Sequence, residues 1–592
     1  MFQDFVNLLN DIVWKYGIPL GDDQWIPWVV ILLLGAGVYL TLRLGFIQFR
    51  KLGHGFAVTS GKYDDPDEPG DVPHFQALTT ALSATVGIGN IAGVALAIHY
   101  GGPGALFWMW VTAFLGMATK YSEVTLAQHY RSVIGTSDKV ERWQGTVAGG
   151  PMYYIEHGLG WKGVAVVFAL LLMTTSFLTG NAVQANTVSD VMRVDFGIPL
   201  WITGLFVASI IAVVIIGGIT RIGKVTGIVA PVMAGIYVLG ALIILGFNID
   251  QVLPTFGLVF TEAFNPSSGV AGTGAGVFLL TLMYGVRRGL FSNEAGQGSA
   301  PIAHSAAKTD EPPSEGVVAL LEPFIDTIII CTLTAMVILV TGVWGDPVPT
   351  QFRLDSGNIS YRVPGEGGIF AGVEPPQRIP IDDGIPQQGS EDPQFAWNEA
   401  AVERFYTDCA EECSEEGDLQ GPFTGTLFPS EERAVAEDGT EYQVLYGGGV
   451  RNGAPLTQLA FQRGLAPLGD WGGKIVLLSV LLFAISTAIS WSYYGDRCAY
   501  YIWGKKAILP YKFVFVVMNF IGSITALSTI WALGDIALGL VVVPNLIAVV
   551  ALSGRLKSMT DSYFERKPWM DNAQVQQRLR EEKRQRQEGP DA

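Results

Sequence analysis

Residues 286–304 read VRRGLFSNEAGQGSAPIAH, and they follow directly on the apolar run GVFLLTLMYG of residues 276–285. If that run enters a lipid bilayer, it carries Arg287, Arg288 and Glu294 into the membrane within about two helical turns of its end. A charge at membrane depth is unfavourable unless it has a partner, so such charges usually mark pairing or function. The stretch therefore predicts a functional site inside a membrane protein.

The composition supports this interpretation. Of the 592 residues, 49% are hydrophobic and 15% are charged, and the mean hydropathy is +0.35. Apolar runs of about twenty residues, the length that crosses the hydrocarbon core, recur along the chain. We predict an all-α polytopic membrane protein with about eleven transmembrane helices, at approximately residues 25–45, 75–98, 103–128, 164–190, 201–219, 225–246, 275–300, 317–343, 472–493, 509–527 and 530–553.

The ends of the chain indicate its orientation. The first apolar run, at residues 25–42, follows 24 mixed residues without a basic n-region or a small-residue cleavage site, so we predict a retained span and no signal peptide. Lys and Arg concentrate in alternate short loops and in the charged tail of residues 554–592. The positive-inside rule then places the N-terminus outside and the C-terminus in the cytoplasm. We expect a multi-pass protein of a bacterial-type cell (inner) membrane.

Residues 344–471 contain no apolar run of spanning length and are predicted to form an extracytoplasmic insertion. This segment holds 22 Asp and Glu against 7 Arg and no Lys, which is a net charge of −15 out of −17 for the whole chain. It is either a cap that binds a partner or attracts cations, or a solvated segment that only adds solubility, and we favour the second interpretation. Its two cysteines, Cys409 and Cys413, either form a small disulfide loop or are free thiols.

Two of the predicted spans are interrupted by glycine and polar residues. The second span contains Gly87, Gly89 and Asn90, and the seventh contains Gly285, Gly289, Ser292, Gly296 and Gly298. With the N-terminal segment of residues 1–45 and its single span set aside, the breaks fall in helices one and six of ten. Breaks at matching places in two halves predict an inverted 5+5 repeat with a binding site at its centre. The halves are residues 75–246, and residues 275–343 with 472–553.

Four stretches resemble the alanine or glycine:cation symporter family: SATVGIGNIAGVALAI (83–98), GGPGALFWMWVTAFLGMATKYSEVTLAQHYR (101–131), GNAVQANTVSD (180–190) and RRGLFSNEAGQGSAPIAHSAAKTDEP (287–312). The resemblance covers essentially the whole membrane body. It implies a leucine-transporter-type fold with one extra N-terminal helix, and sodium-coupled uptake of alanine or glycine. The long insertion departs from the usual family pattern, where a much shorter connection is expected.

An amino-acid substrate brings a carboxylate and an ammonium group into a cavity of low dielectric constant. Free backbone N–H groups in the turn after Thr85 suit the carboxylate, while carbonyls and side-chain oxygens suit the ammonium. An amide pair three residues apart and an aromatic–hydroxyl pair four residues apart are placed to line the site. The predicted substrate-binding residues are Thr85, Gly87, Asn181, Gln184, Gly285, Phe291, Thr487 and Trp491. The amides equally suit helix–helix hydrogen bonding.

The resemblance to the leucine-transporter fold implies sodium bound by carbonyls near Ser83 and Val86 and by the hydroxyls of Ser486 and Thr487, and we add Asn90 as a candidate ligand. Those hydroxyls can instead bond to carbonyls one turn earlier. We predict that Arg287 and Arg288 pair with Asp326 or Glu294 on the cytoplasmic side of the break, as gating or structural charges. A proton relay through Asp326 and its neighbours Glu322, Lys120 and Glu123 is a weaker alternative.

The sequence contains no P-loop and no His/Cys cluster, so we predict neither an enzyme nor a primary pump. The preferred interpretation is a symporter that imports sodium, as the coupling ion rather than a cofactor, with a small neutral amino acid by alternating access. The alternative is an amino-acid or cation channel lined by the broken helices. Besides these solutes, membrane lipid is the expected partner, and nucleic acid is not.

Overall fold

The computed structural model describes residues 2–588 apart from 22–23, 136–144, 267–274, 356–358, 365–369, 390–391, 399, 410–418 and 526. Cys413 lies outside the described residues. Helices are present at all eleven positions where the hydropathy predicts spans. The first part of the chain forms α1 (Phe2–Trp14), a hairpin of β1 (Gly17–Gly21) and β2 (Gln24–Pro27), α2 (Trp28–Arg43), α3 (Ile47–Thr59), α4 (His74–Thr85), α5 (Ala92–Gly101) and α6 (Ala105–His129).

The middle part of the chain, where it is described, contains three helices that are continued through π-helical turns. It forms β3 (Ser132–Val133), β4 (Val147–Ala148), α7 (Pro151–Tyr153), a π turn (Tyr154–Gly158), α8 (Lys162–Phe177), a second π turn (Leu178–Ala182), α9 (Val183–Phe196), α10 (Leu200–Ile215), α11 (Gly218–Phe247), α12 (Ile249–Glu262), α13 (Ala275–Asn293), α14 (Ala300–His304), α15 (Pro312–Ala319), α16 (Leu321–Pro323), a third π turn (Phe324–Cys331) and α17 (Thr332–Val340). π-helical turns often occur at functional sites.

The insertion folds as antiparallel β structure with its own hydrophobic core, which includes Phe352, Phe395, Phe405, Phe423 and Leu445. Cys409 is disulfide-bonded. The strands are β5 (Pro347–Arg353), β6 (Ile359–Pro364), β7 (Phe370–Val373), β8 (Ile379–Asp382), β9 (Ile385–Pro386), β10 (Gln394–Trp397), β11 (Ala400–Ala401), β12 (Tyr406–Cys409), β13 (Leu419–Pro422), β14 (Gly425–Phe428), β15 (Arg433–Ala436), β16 (Glu441–Tyr442) and β17 (Val444–Val450). They form three sheets, in the orders β11-β10-β6-β7, β13-β12-β17-β5 and β16-β15-β14-β8-β9.

The last part of the chain returns to helices and ends in a docked tail. It forms α18 (Gly453–Leu465), α19 (Gly472–Trp503), α20 (Ile508–Ile524), α21 (Leu527–Ala551), α22 (Ser553–Arg566) and α23 (Trp569–Glu588). The tail helices contact the loop between α3 and α4, because Gln576 donates to the Asp64 carbonyl and Asn572 donates to Glu68. We call this face the tail side. At the opposite end, His99 of α5 lies 2.6 Å from the Asn398 carbonyl of the insertion, which defines the insertion side.

The prediction of a helical polytopic membrane protein is confirmed. Among the described residues, six helices are long and apolar enough to cross a membrane, or up to eight if two bent helix pairs each count as one span. The bent pairs are α2 with α3, at 78°, and α4 with α5, at 58°. Other predicted spans coincide with helices that are too short or too polar for this criterion, such as α10 with 16 residues. The count of eleven and the inverted repeat stay predictions.

Candidate functional site

The first break separates α4 from α5. Val86 has left helical geometry, with ψ at 81°, and a single 3₁₀ turn over Ile88–Asn90 follows. The Gly87 N–H donates to Asn90 Oδ1 at 2.9 Å, so a side chain replaces the helical acceptor that the break removes. All these residues are buried. The break predicted from the glycines of the second span is therefore present.

The second break lies later in the chain than predicted. We expected Gly285 to begin it, but α13 continues to Asn293 and the interruption covers residues 294–299. Gly285 instead allows close helix packing, because a Cβ there would lie 2.5 Å from Trp108 Cβ and 2.6 Å from the Ala105 carbonyl oxygen. Gly285 therefore does not begin the break, and its contact with substrate stays a prediction.

The two breaks face each other across a network centred on Asp326, which lies in the π turn before α17. Asn90 Nδ2 donates to Asp326 Oδ1 at 2.6 Å and to Ser292 Oγ at 3.1 Å. Ser292 and Thr327 donate to Asp326 Oδ2 at 2.5 and 2.8 Å. Asp326 is thus held by neutral donors, and the predicted ion pair with Arg287 or Arg288 is wrong.

The arginines pair instead with Asp535 of α21, a residue that the sequence analysis did not identify. Arg288 Nη2 lies 3.0 Å from Asp535 Oδ2, and Arg287 also contacts that carboxylate. Trp14 of α1 donates to the Asp535 backbone carbonyl at 3.0 Å, and Arg287 lies over the Trp14 ring with its Cζ 5.0 Å from the centroid. A charge pair and a cation–π contact therefore offset the burial of these guanidinium groups.

This charge pair lies on the insertion side of the second break. Thr281, six residues before Arg287 in α13, donates to the Gly101 carbonyl at 2.7 Å, at the end of α5 where the insertion contacts His99. With the predicted orientation, in which the insertion side is outside, the arginines lie on the outer side of the break and not on its cytoplasmic side. The reason is that the chain passes the arginines before it reaches the break at residue 294. Glu294 is not their partner either, because it accepts from Trp491 and Ser299.

Gly87, Gln184 and Thr487 lie close together beside the first break. A Cβ on Gly87 would lie 2.6 Å from Thr487 Oγ1 and 3.5 Å from Gln184 Oε1. Gln184 donates through Nε2 to the Thr179 carbonyl at 3.2 Å. Its buried Oε1 has no hydrogen-bond partner among the described residues. A buried amide oxygen without a donor is unfavourable, so this atom points to a ligand with N–H groups.

Two aromatic side chains, Trp491 and Phe291, pack near these residues. Trp491 donates to Glu294 Oε1 at 2.9 Å and packs on Gly180, where a Cβ would meet the indole at 2.3 Å. Phe291 stacks on Trp531 of α21, with ring centroids 5.3 Å apart and planes at 18°. Phe291 also covers Gly89, because a Cβ on Gly89 would lie 2.8 Å from the phenyl ring. Trp531, like Asp535, is a residue of this region that the sequence analysis did not identify.

The side chains of Asn181 and Thr85 form hydrogen bonds away from Gly87, Gln184 and Thr487. Asn181 donates to the Phe515 carbonyl at 2.7 Å and accepts from Asn519 at 2.7 Å, so both ends of its amide bind α20. The π turn Leu178–Ala182 changes the angular spacing between Asn181 and Gln184, so the two residues no longer share a face. The predicted substrate contact of Asn181 is replaced by helix–helix hydrogen bonding. The Thr85 hydroxyl donates to the Ala81 carbonyl at 3.2 Å, one turn earlier.

The residues predicted to bind sodium divide into two groups. Thr487 Oγ1 lies 3.0 Å from the Ser83 carbonyl, which joins α19 to the end of α4, and the buried Ser83 hydroxyl has no partner among the described residues. Together with Val86, these oxygen donors fit a hard monovalent cation. Ser486 Oγ donates to the Phe483 carbonyl at 3.0 Å, and Asn90 is engaged with Gly87 and Asp326, so the sodium contacts of these two residues stay predictions.

A polytopic helical membrane protein whose two interrupted helices face each other across a buried polar centre is a transport protein by its architecture. The chain belongs to the sodium:alanine symporter family, whose model matches residues 7–369 and 440–577. The unmatched residues 370–439 lie inside the β insertion. The resemblance drawn from the four sequence stretches is therefore confirmed.

Individual relatives agree with this assignment. The chain is 38% identical over 568 residues to the sodium/alanine symporter AgcS of Methanococcus maripaludis, covering 95% of this chain and 98% of the relative. It is 29% identical over 572 residues to the amino-acid carrier protein AlsT of Bacillus subtilis, covering 96% and 94%. It is 30% identical over 573 residues, again covering 96% and 94%, to the putative sodium/proton-dependent alanine carrier protein YrbD of the same organism.

Proposed function

We propose that this protein imports a small neutral amino acid, alanine or glycine, together with sodium. One observation carries the proposal. The unpartnered Gln184 Oε1, the Thr487 hydroxyl and Gly87 lie close together at the first break, and Thr487 also reaches the Ser83 carbonyl. Substrate and ion would then share Thr487, which is a direct way to couple their binding.

The chemistry of each group assigns the substrate's orientation. The buried Gln184 Oε1 is an acceptor, so it receives the ammonium N–H of the amino acid. The carboxylate then lies toward the backbone N–H groups of the turn after Thr85, where the helix break exposes donors. Trp491 and Phe291 restrict the side chain to a small one, because both rings are already packed against glycine backbones.

Sodium binds next to the substrate in this proposal. The carbonyls of Ser83 and Val86 and the hydroxyl of Thr487 supply oxygen ligands from α4 and α19. Since the two helices belong to different halves of the chain, the ion stabilises the arrangement in which the halves meet. That stabilisation is the link between ion binding and alternating access.

The charged residues indicate how access alternates. By the positive-inside rule the tail side is cytoplasmic and the insertion side is outside, in a bacterial-type cell membrane. The Arg287, Arg288 and Asp535 group is then an outer gate above Phe291 and Trp531, and the predicted inner-gate role of the arginines moves to the opposite face. The insertion contacts α5 next to this gate.

Transport by purified protein in proteoliposomes tests the proposal. With an inward sodium gradient, labelled alanine should accumulate above its external concentration, and replacing sodium by choline should abolish accumulation. The Gln184→Met variant removes the acceptor at similar volume and should lose uptake. The Asn186→Met variant is the matched control, since Asn186 faces α20 and donates to the Gly522 carbonyl at 3.0 Å. Equilibration without accumulation would instead show a channel.

A further inference from the structure

A chain of buried ionisable side chains occupies the tail-side half of the membrane body. His74 contacts one oxygen of Glu315, and His304 Nδ1 lies 2.5 Å from the other. His304 Nε2 lies 2.5 Å from Glu322 Oε1, and Lys120 Nζ lies 3.0 Å from Glu322 Oε2. All five side chains are at most 3% exposed. We call these residues the His–Glu chain.

The His–Glu chain connects the tail-side parts of both broken helices. His74 is the first residue of α4, and His304 is the last residue of α14, directly after the second break. Both histidines contact Glu315 of α15. Glu322 of α16 in turn joins His304 of α14 to Lys120 of α6. Opening a path from the centre to the tail side by moving α4 or α14 would separate a histidine from Glu315.

The geometry requires one hydrogen atom in each of the two His304 contacts, which is one proton more than a neutral imidazole and two carboxylates carry. A hydrogen atom must lie between a ring nitrogen and a carboxylate oxygen 2.5 Å apart, and both nitrogens face carboxylates. With His304 and Lys120 positive, Glu315 and Glu322 negative and His74 neutral as a donor, the chain has no net charge. Removing the His304 proton would leave a buried negative charge and a lone pair directed at a carboxylate, which is strongly unfavourable.

Other charged and titratable groups surround the chain. Burial raises the pKa of Asp64 and Glu68, which lie in the loop at its tail-side mouth and interact electrostatically with His74. The remaining groups that interact electrostatically with the chain are Glu123, Arg131, Glu294, Asp326 and Tyr494. The chain is thus surrounded by five carboxyl groups and one arginine, and the carboxyl groups favour retention of the proton when they are ionised.

We propose that the His–Glu chain is a proton-binding site that holds one proton while the tail-side ends of the two broken helices are together and releases it when they separate. Proton release is driven by the difference between the surroundings of His304 in the closed form and in the open form. In the closed form two carboxylates and low dielectric hold the proton on His304. In the open form His74 has left Glu315 and water reaches the histidine, so binding weakens. This inference depends neither on sodium coupling nor on the identity of the substrate.

Hydrogen exchange of the full chain in phospholipid nanodiscs tests the proposal without substrate. Opening exposes the first turns of α4, residues 74–82, and their exchange reports the opening equilibrium once intrinsic rates are corrected for pH. Because one proton is released on opening, the opening constant should rise about tenfold per pH unit above the pH at which the open form loses the proton. Removing the titrating group with His304→Gln should make the corrected opening constant independent of pH.

His99→Gln is the matched control. His99 is buried in α5, which belongs to the same broken span as α4, but it contacts a backbone carbonyl instead of a carboxylate. The pH dependence of α4 opening should persist in this variant. A flat corrected profile in the unmodified protein would overturn the proposal, and this result does not depend on any variant folding. Persistence of the full slope in His304→Gln would overturn it equally.

Discussion

The two broken helices are interrupted by different physical means. In the first break, residues 86–91 keep negative φ angles and the Asn90 side chain supplies the missing acceptor. In the second break, Glu294, Gly296 and Gly298 have φ of 56°, 94° and 74°, so the backbone itself turns into the left-handed region. One break is stabilised by side-chain hydrogen bonds, and the other is fixed by backbone conformation that glycine permits.

This difference assigns separate roles to the glycines. Gly87 and Gly89 provide space, because side chains there would enter the volume beside Thr487 and Phe291. Gly296 and Gly298 provide conformation. Hydrogen bonds can exchange partners during a transport cycle, whereas a left-handed backbone segment has few alternatives. We therefore expect the first break to rearrange around the ligands while the second acts as a fixed bend.

The largest effect is expected from Gly298→Ala. The new Cβ would lie 2.4 Å from Pro151 Cγ at a φ of 74°, so strain and a clash add. The free energy of unfolding should fall by roughly 2–5 kcal/mol, measured as a lower thermal midpoint in detergent. Gly35→Ala is the control, since a Cβ at Gly35 meets nothing within 4 Å. Equal stability of Gly298→Ala and the unmodified protein would contradict a bend fixed by conformation.

Asn90→Ala should have the next largest effect, because it removes the side chain whose hydrogen bonds stabilise the first break. It removes one of the two acceptors of the Gly87 N–H, which also donates to the Thr85 carbonyl at 2.8 Å, and it leaves the buried Asp326 carboxylate without one donor. Each buried group left unsatisfied costs about 1–3 kcal/mol. Thermal unfolding should show this loss, and Asn90→Gln should not restore stability because its longer side chain does not fit the 3₁₀ turn. An unchanged thermal midpoint in Asn90→Ala would mean that the break does not depend on this side chain.

Gly87→Ala should show whether this glycine is needed for its lack of a side chain rather than for its backbone conformation. Its φ of −125° suits alanine, so no backbone strain adds to the new contact, and the loss of stability should be smaller than that of Gly298→Ala. The methyl group would lie 2.6 Å from Thr487 Oγ1, in the space assigned to the substrate, and alanine affinity should fall by about tenfold or more, equal to about 1.4 kcal/mol. Binding measured by calorimetry checks this. Normal affinity would remove Gly87 from the site, and a large stability loss would make the two breaks alike.

Much of this arrangement follows from local sequence. Hydropathy located the helices, and the GIGN and NEAGQG stretches contained both breaks. Gln184, Trp491 and Thr487 were identified because polar and aromatic residues within apolar spans need a reason. These signals depend on neighbours along the chain, which a sequence displays directly.

The rest depends on contacts between distant residues or on local backbone changes that apolar runs conceal. Asp535 pairs with Arg287 across 248 positions, and Asp326 was the nearer but incorrect choice. Asn181 was misplaced because a π turn preceding Gln184 alters the helical phase, and no residue pattern indicated that turn. Gly285 was misread because a glycine that permits close packing looks the same in sequence as a glycine that breaks a helix.

The smallest effect, and the most specific to the first break, is expected from Thr487→Val. This change keeps the side-chain shape but removes the hydroxyl that faces the Ser83 carbonyl at 3.0 Å. Loss of one oxygen ligand to a cation should raise the sodium concentration for half-maximal uptake by roughly tenfold, while Thr487→Ser should stay near the original value. Ser486→Ala is the control, because its hydroxyl bonds within α19 to Phe483. If Ser486→Ala shifted the sodium dependence and Thr487→Val did not, the ion would bind α19 on a face turned away from the first break, and the coupling of ion and substrate through Thr487 would be wrong.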